Sequence, residues 1–282
     1  MVRKLYALLA MSVIALLVSV VPAGAITGGQ LDGSQHPNVA MIVFYQPDGL
    51  FRCSATLVSP TVLVTAAHCT QGVRGKVIAT FDPVAPTPTP RAADDSGDGM
   101  SQTGYSAPVA GWLTGTPHAD PLFTGKLQLN SLHDVGVVVL DAPYNGATPA
   151  TLAPRNYLDG LASGNGGLSD QSFTLVGYGV FFDKPTSSPQ KPSVVNDRTR
   201  RFTTAVGQNV SSQVLKLAGN ANDSRGGGGA CFGDSGGPAF NNGLLVGDAS
   251  FSAVQFCRSG DGYYRLDTDD ARTFLRTYLT LP

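Results

Sequence analysis

Between Val39 and Thr65 the chain runs through three short apolar segments, Val39–Tyr45, Phe51–Val58 and Val62–Thr65. Pro47-Asp48-Gly49 and Ser59-Pro60 separate them. Segments of this length, bounded by turn residues, are too short for helices and suit strands. Two hairpins so close together predict an antiparallel β architecture. Similar apolar bursts follow at Val135–Leu140, Phe173–Val176, Leu244–Val246 and Gly262–Leu266. Composition agrees, because 34 glycines, 19 prolines and only 14% charged residues favour a loop-rich β protein over long amphipathic helices. One helix is expected near the end, over Thr268–Leu279. Thr268 suits its N-cap, Asp269 and Asp270 its first turn, and Ala271, Phe274, Leu275 and Tyr278 recur at helical spacing.

The first 25 residues differ from the rest. Arg3 and Lys4 precede an apolar run from Leu5 to Val21, Pro22 breaks it, and Ala23-Gly24-Ala25 supplies a small-residue cleavage site. That is the pattern of a secretory signal. The run sits at the short limit for a membrane span of about 20 residues, so no stable membrane anchor is expected. Asp82–Ser106 and Phe182–Asn196 are poor in large apolar residues and read as surface loops. A formal net charge of −1 without a basic cluster gives nothing to hold a nucleic acid. Export makes disulfides available to Cys53, Cys69, Cys231 and Cys257, which allow three pairings. The near-neighbour pairing, 53–69 and 231–257, closes two short loops. No Cys-x-x-Cys or His-Glu-x-x-His occurs, so neither a metal nor any other cofactor is expected.

Four histidines are candidates for chemistry. His36 and His118 adjoin prolines and read as loop residues, and His133 reads as a rim residue. His68 follows a buried strand and is fixed beside Cys69, a suitable place for a catalytic base. The sharper signal is Gly233-Asp234-Ser235-Gly236-Gly237-Pro238. A serine hydroxyl needs a neighbouring base to become a nucleophile. It also needs N–H groups aimed at the oxyanion formed on attack, and glycines around it permit the tight backbone that aims them.

These stretches resemble the chymotrypsin/trypsin-like serine proteases. Leu63-Val64-Thr65-Ala66-Ala67-His68-Cys69 is similar to their histidine motif, Gly233 to Pro238 to their nucleophile motif, and Asp134 to Leu140 to their buried-aspartate strand. Gly177-Tyr178-Gly179 is similar to their Gly-Trp-Gly turn. The resemblance covers nearly all of the chain after residue 25. It implies an all-β fold of two antiparallel Greek-key β-barrels with a C-terminal α-helix, the first barrel within 26–150 and the second within 151–282. It also implies a secreted, monomeric endopeptidase acting on protein or peptide substrates, whose cleft protein inhibitors can occupy. Ser235 would be the nucleophile, His68 the general base and Asp134 its orienting acid. The amides of Gly233 and Ser235 would form the oxyanion hole. Cleavage after Ala25 would expose Ile26, whose ammonium would pair with Asp234. Gly229 would floor the specificity pocket, with Ser250, Ser252 and Gly262 near its walls. A floor without an acid predicts an apolar or aromatic residue before the scissile bond.

Two rival readings compete with this one. Gly233-x-Ser235-x-Gly237 also satisfies the nucleophile elbow of α/β-hydrolases, but there the acid and histidine follow the serine, and here both precede it. A catalytically silent binding protein could use the same protease fold, although all three catalytic residue types are present.

Overall fold

A computed structural model describes residues 26, 28–88, 104–183, 193–219, 227–252, 257 and 260–281. The segment read as a signal, residues 1–25, lies outside these, as do 89–103 and 184–192 of the two long loops. Six antiparallel strands close a first barrel: β1 (Val39–Gln46), β2 (Gly49–Ser59), β3 (Val62–Thr65), β4 (Arg74–Thr80), β5 (Leu113–Ala119) and β6 (Gly136–Leu140). Around the ring they run β1-β2-β3-β6-β5-β4. A second ring contains β7 (Ser172–Gly177), β8 (Arg201–Val210), β9 (Val214–Leu217), β10 (Pro238–Asn241), β11 (Leu244–Ser252) and β12 (Asp261–Arg265). Its order is β7-β8-β9-β12-β11-β10, closed by the β10–β7 pairing. Two helices are short, α1 (Tyr157–Ser163) and α2 (Asp269–Leu275).

Apolar patterning explains why the strands read as unbroken runs. Along β1, Ala40, Ile42 and Phe44 point into the first barrel. The alternate residues Val39, Met41, Val43 and Tyr45 join a second cluster with Val176, Val214, Phe240 and Tyr264 of the other barrel. Both faces are therefore buried, and each large side chain removed from water contributes about 1.5–3 kcal/mol. The second barrel has its own interior, built on Phe173, Leu175, Leu215, Val246 and Tyr263. The cluster between the barrels also receives Ala271, Phe274 and Leu275 of α2.

The expected helix is present but shorter. Thr268 caps α2 by accepting the amide of Ala271 at 3.3 Å, and beyond Leu275 the chain continues as turns, with the Leu279 amide bonded to the Leu275 carbonyl at 2.9 Å. Tyr278 still packs against the His118 ring, at 5.1 Å between centroids. Two histidine assignments are corrected. His118 belongs to β5 rather than a loop. His133 is buried, not a rim residue, and sits at 3.5 Å from both Asp120 and the Gln213 amide. A buried Arg200 joins the N-terminal segment to both barrels. It pairs with Asp32 at 2.7 Å and donates to the carbonyls of Val39 and Phe81 and to the hydroxyl of Tyr178.

Candidate active site

The cleft between the barrels is lined from both sides by strand ends. The end of β3 turns through a single 3-10 turn, Ala67–Cys69, and presents His68. Asp134 sits two residues before β6, which pairs with β3, so the barrel's own hydrogen bonding brings the two together. The Asp134 carboxylate grips the histidine twice. Oδ2 lies 2.9 Å from the ring Nδ1, and Oδ1 accepts the backbone N–H of His68 at 2.9 Å. Ser250 on β11 donates its hydroxyl to the same Oδ2 at 2.5 Å. This bond couples the second barrel to the acid, a task the sequence alone did not assign to Ser250. The Asp134 side chain is nearly closed off, whereas the His68 ring is about a third exposed (4% and 35%) and faces the cleft.

Ser235 precedes β10 and lines the same groove as His68 and Gly233. The amides of Asp234, Gly236 and Gly237 bond to the carbonyls of Cys231, Ala249 and Asp234, at 2.9, 2.7 and 2.8 Å. Those of Gly233 and Ser235 have no acceptor among the described residues, which leaves two N–H groups for an oxyanion. Gly233 adopts φ of 99°, and a Cβ there would come 2.8 Å from Arg52 Nε. Glycine is thus required both by the turn and by the approach of Arg52. Ser54, beside Cys53, ties this loop to the first barrel. Its amide donates to the Ser235 carbonyl at 2.8 Å, and its hydroxyl donates to that of Gly233 at 3.0 Å. The disulfides Cys53–Cys69 and Cys231–Cys257 brace the two sides, matching the near-neighbour pairing.

Asp234 is fully buried and accepts the amides of Gly179 at 2.7 Å and Cys231 at 2.8 Å. Burial pushes its carboxyl up to about 7, while those amides and the Arg52 guanidinium pull the other way. Ile26 is buried too, but no hydrogen bond or ion pair joins it to Asp234 among the described residues. In the full-length chain its nitrogen is a peptide nitrogen, which carries no charge to offer.

A cavity lies beside Ser235 where the sequence reading expects a specificity pocket. It measures about 430 Å³, with Ser250, Ser252 and Gly262 on its walls. Gly229 is not its floor. A Cβ on Gly229 would come 2.5 Å from the Asp261 carboxylate, which fills the space where a side chain from position 229 would project. Asp261 itself lines the pocket, so the pocket is not neutral. Burial pushes this carboxyl up to about 6, against the opposing pull of the Ala230 amide and the Ser252 hydroxyl. The sequence reading expects an apolar or aromatic residue before the scissile bond from neutral walls and a floor without an acid, and Asp261 adds a carboxylate to that lining. On the other side of Ser235, Arg52, Leu50, Phe51 and Phe232 line a wider groove of about 730 Å³.

Two closed six-stranded barrels with a histidine, an aspartate and a serine gathered at their junction define a chymotrypsin-like fold. A family model described as Trypsin matches residues 28–268, and the chain belongs to that family. Trypsin delta of Drosophila melanogaster is 25% identical over 212 residues, covering 73% of this chain and 70% of that one. Brachyurin of Leptuca pugilator is 26% identical over 218 residues, covering 76% and 81%. Among solved structures, HL collagenase superposes with a TM-score of 0.61 at 17% identity, over 92% of this chain and 99% of that one.

Proposed function

We propose that the protein is a secreted serine endopeptidase that hydrolyses peptide bonds through an acyl-enzyme. The observation that carries this reading is the doubly held His68–Asp134 pair facing a groove that also contains Ser235. Ser235 Oγ attacks the scissile carbonyl carbon and His68 Nε2 takes the hydroxyl proton. The oxyanion is received by the free amides of Gly233 and Ser235. Collapse breaks the C–N bond, and His68 returns the proton to the departing amine. A water molecule then repeats the sequence on the ester and frees Ser235. Asp134 fixes the imidazole tautomer and stabilises its charged form, and Ser250 in turn fixes Asp134. Electrostatic stabilisation by preset amides accounts for a large part of such catalysis.

Secretion follows from the leader pattern of residues 1–25. Its removal would leave Ile26 as the N-terminus and give the fully buried Asp234 a cationic partner. A buried acid left without a partner costs about 3–5 kcal/mol, so processing would complete the oxyanion loop. The test is turnover of a peptide substrate by the processed protein beside Ser235→Ala and His68→Ala. Each substitution is expected to lower kcat by roughly four or more orders of magnitude. Undiminished turnover by either variant would refute the assignment.

A further inference from the structure

We infer that Arg52, with Arg198 beside it, receives a carboxylate on the leaving-group side of Ser235, so that peptides carrying an acid just after the scissile bond are cut preferentially. The inference rests on the protease reading and deepens it.

Three observations carry it. The first is position. Arg52 lies on β2 and lines the groove of about 730 Å³ that also contains His68, Gly233 and Ser235. Its guanidinium packs on the nucleophile loop, with Nε and Nη2 at 2.8 and 3.5 Å from where a Cβ on Gly233 would stand. This groove and the pocket lined by Asp261 flank Ser235. A peptide that places a side chain in the pocket has to run its leaving segment along the groove.

The second is charge without a counterion. Arg52 Nη1 donates to the side-chain oxygen of Asn196, a neutral acceptor, and Nη2 has no partner among the described residues. Arg198 lines the same groove and donates to neutral oxygens, the Ala85 carbonyl at 3.4 Å and the Thr87 hydroxyl at 2.9 Å. No acid lines the groove among the described residues. Asp197, next to both Asn196 and Arg198, is paired with Arg201 at 2.7 Å. Burial pulls the Arg52 guanidinium below its ordinary value, Asp234 opposes this, and Arg198 adds to it. Processing would turn Asp234 towards the Ile26 ammonium and leave Arg52 with less compensation still. Two cations that feel each other on a wall without an acid make a site that an anion neutralises. A carboxylate arriving along the groove would take the place of the Asn196 amide at Arg52. That exchanges a neutral acceptor for a charged one, which forms the stronger bond and matches the guanidinium fork.

The third is the character of the remaining wall. Leu50, Phe51 and Phe232 line the groove and are 40%, 38% and 67% exposed. They give the leaving segment apolar surface to lie on, while the few polar groups fix its orientation. A cationic residue there would meet two like charges, which disfavours it.

The carboxylate can come from an acidic side chain or from the substrate's own C-terminus, and two pairs of peptides separate these sources. All four are identical up to the scissile bond and are digested at low ionic strength by the protein processed to Ile26, with products measured by chromatography. One pair carries two glutamates or two glutamines directly after that bond, both peptides amidated. The other pair ends two neutral residues after it, as a free acid or as an amide. The charged member of at least one pair should show a kcat/KM about ten-fold higher, the scale of one charge-assisted hydrogen bond. Arg52→Gln should bring that ratio close to one. If the glutamine protein does not fold, Arg198→Gln should lower the same ratio. An advantage in the first pair assigns the site to a side chain, and one in the second to a chain terminus. Ratios near one in both pairs, in a protein whose Ser235 takes up a fluorophosphonate, overturn the inference. If Ser235 takes up no label, the protease reading fails, and titration calorimetry with the glutamate and glutamine peptides decides for Arg52. Affinity about ten-fold higher for the glutamate peptide, lost in Arg52→Gln, would support the assignment, and equal affinities would overturn it.

Discussion

At the scale of single residues, the site depends on acids held in different environments. Asp134 is buried but accepts three donors, from the His68 ring, the His68 amide and Ser250. Asp261 is buried with one oxygen bare, and burial holds its carboxyl up to about 6. The other ionisable groups whose fields reach it are Asp234, behind the pocket, and the phenol of Tyr263, next along β12. The Ala230 amide and the Ser252 hydroxyl donate to it. Raising pH through about 6 should shift Asp261 from its neutral towards its charged form. The ratio of kcat/KM for an arginine substrate to that for its norleucine counterpart should therefore rise about ten-fold across this transition. Protonation of the triad affects both substrates alike and cancels in the ratio. A ratio that is flat or falls with pH would show that Asp261 does not face the substrate.

At the scale of elements, legibility followed burial. β1, β3 and β6 were readable from the sequence because both of their faces are covered, one by a barrel interior and one by the neighbouring barrel. β4 starts Arg74-Gly75-Lys76, and β5 contains Gly115 and Pro117, so neither presents an apolar run. β8 alternates buried with half-exposed or exposed residues through Thr203, Gly207 and Asn209, and this weaker signal was missed. The candidate triad was legible because His68, Asp134 and Ser235 lie inside apolar or glycine-rich motifs. Asp261 was not, because its contact with Gly229 exists only once β12 has paired with β9 and β11. Ser54 was missed for the same reason, since its partners lie more than a hundred residues away.

The disulfides act at this scale too. Cys231–Cys257 links the nucleophile loop to the segment that precedes β12, with a sequence separation of 26. Closing a loop of this size removes about 3 kcal/mol of unfolded-state entropy. Replacing both cysteines by serine should lower the unfolding free energy by about that amount in urea titration. It should also raise KM more than it lowers kcat, because the bond walls the pocket and not the triad. An unchanged denaturation midpoint would contradict the assigned role.

At the scale of the whole molecule, activity is proposed to be coupled to the N-terminus through Asp234. In a chain extended beyond Ile26, the folded state holds this carboxyl at about 7, above its ordinary value of 3.8. A raised folded value favours the protonated form. Its stability contribution is therefore complete below about pH 4 and is lost as pH rises through 7. Every tenfold change in a group's proton affinity on folding is worth about 1.4 kcal/mol, so an extended chain should lose a few kcal/mol of stability between pH 4 and pH 8. In the processed form the Ile26 ammonium opposes the cost of burial, and the loss should shrink. Melting temperatures of the two forms should diverge as pH rises, and Asp234→Asn should stabilise only the extended form. Parallel melting curves would remove Asp234 from the proposed coupling.

The central claim is that His68, held by Asp134, makes Ser235 nucleophilic. The most direct measurement is site-resolved labelling of the processed protein with a fluorophosphonate, read by peptide mass spectrometry. One phosphonyl group per chain, located on Ser235 and lost in His68→Ala, is the predicted result. A folded, correctly processed protein whose Ser235 stays unmodified would contradict the account and leave a binding protein on a protease fold.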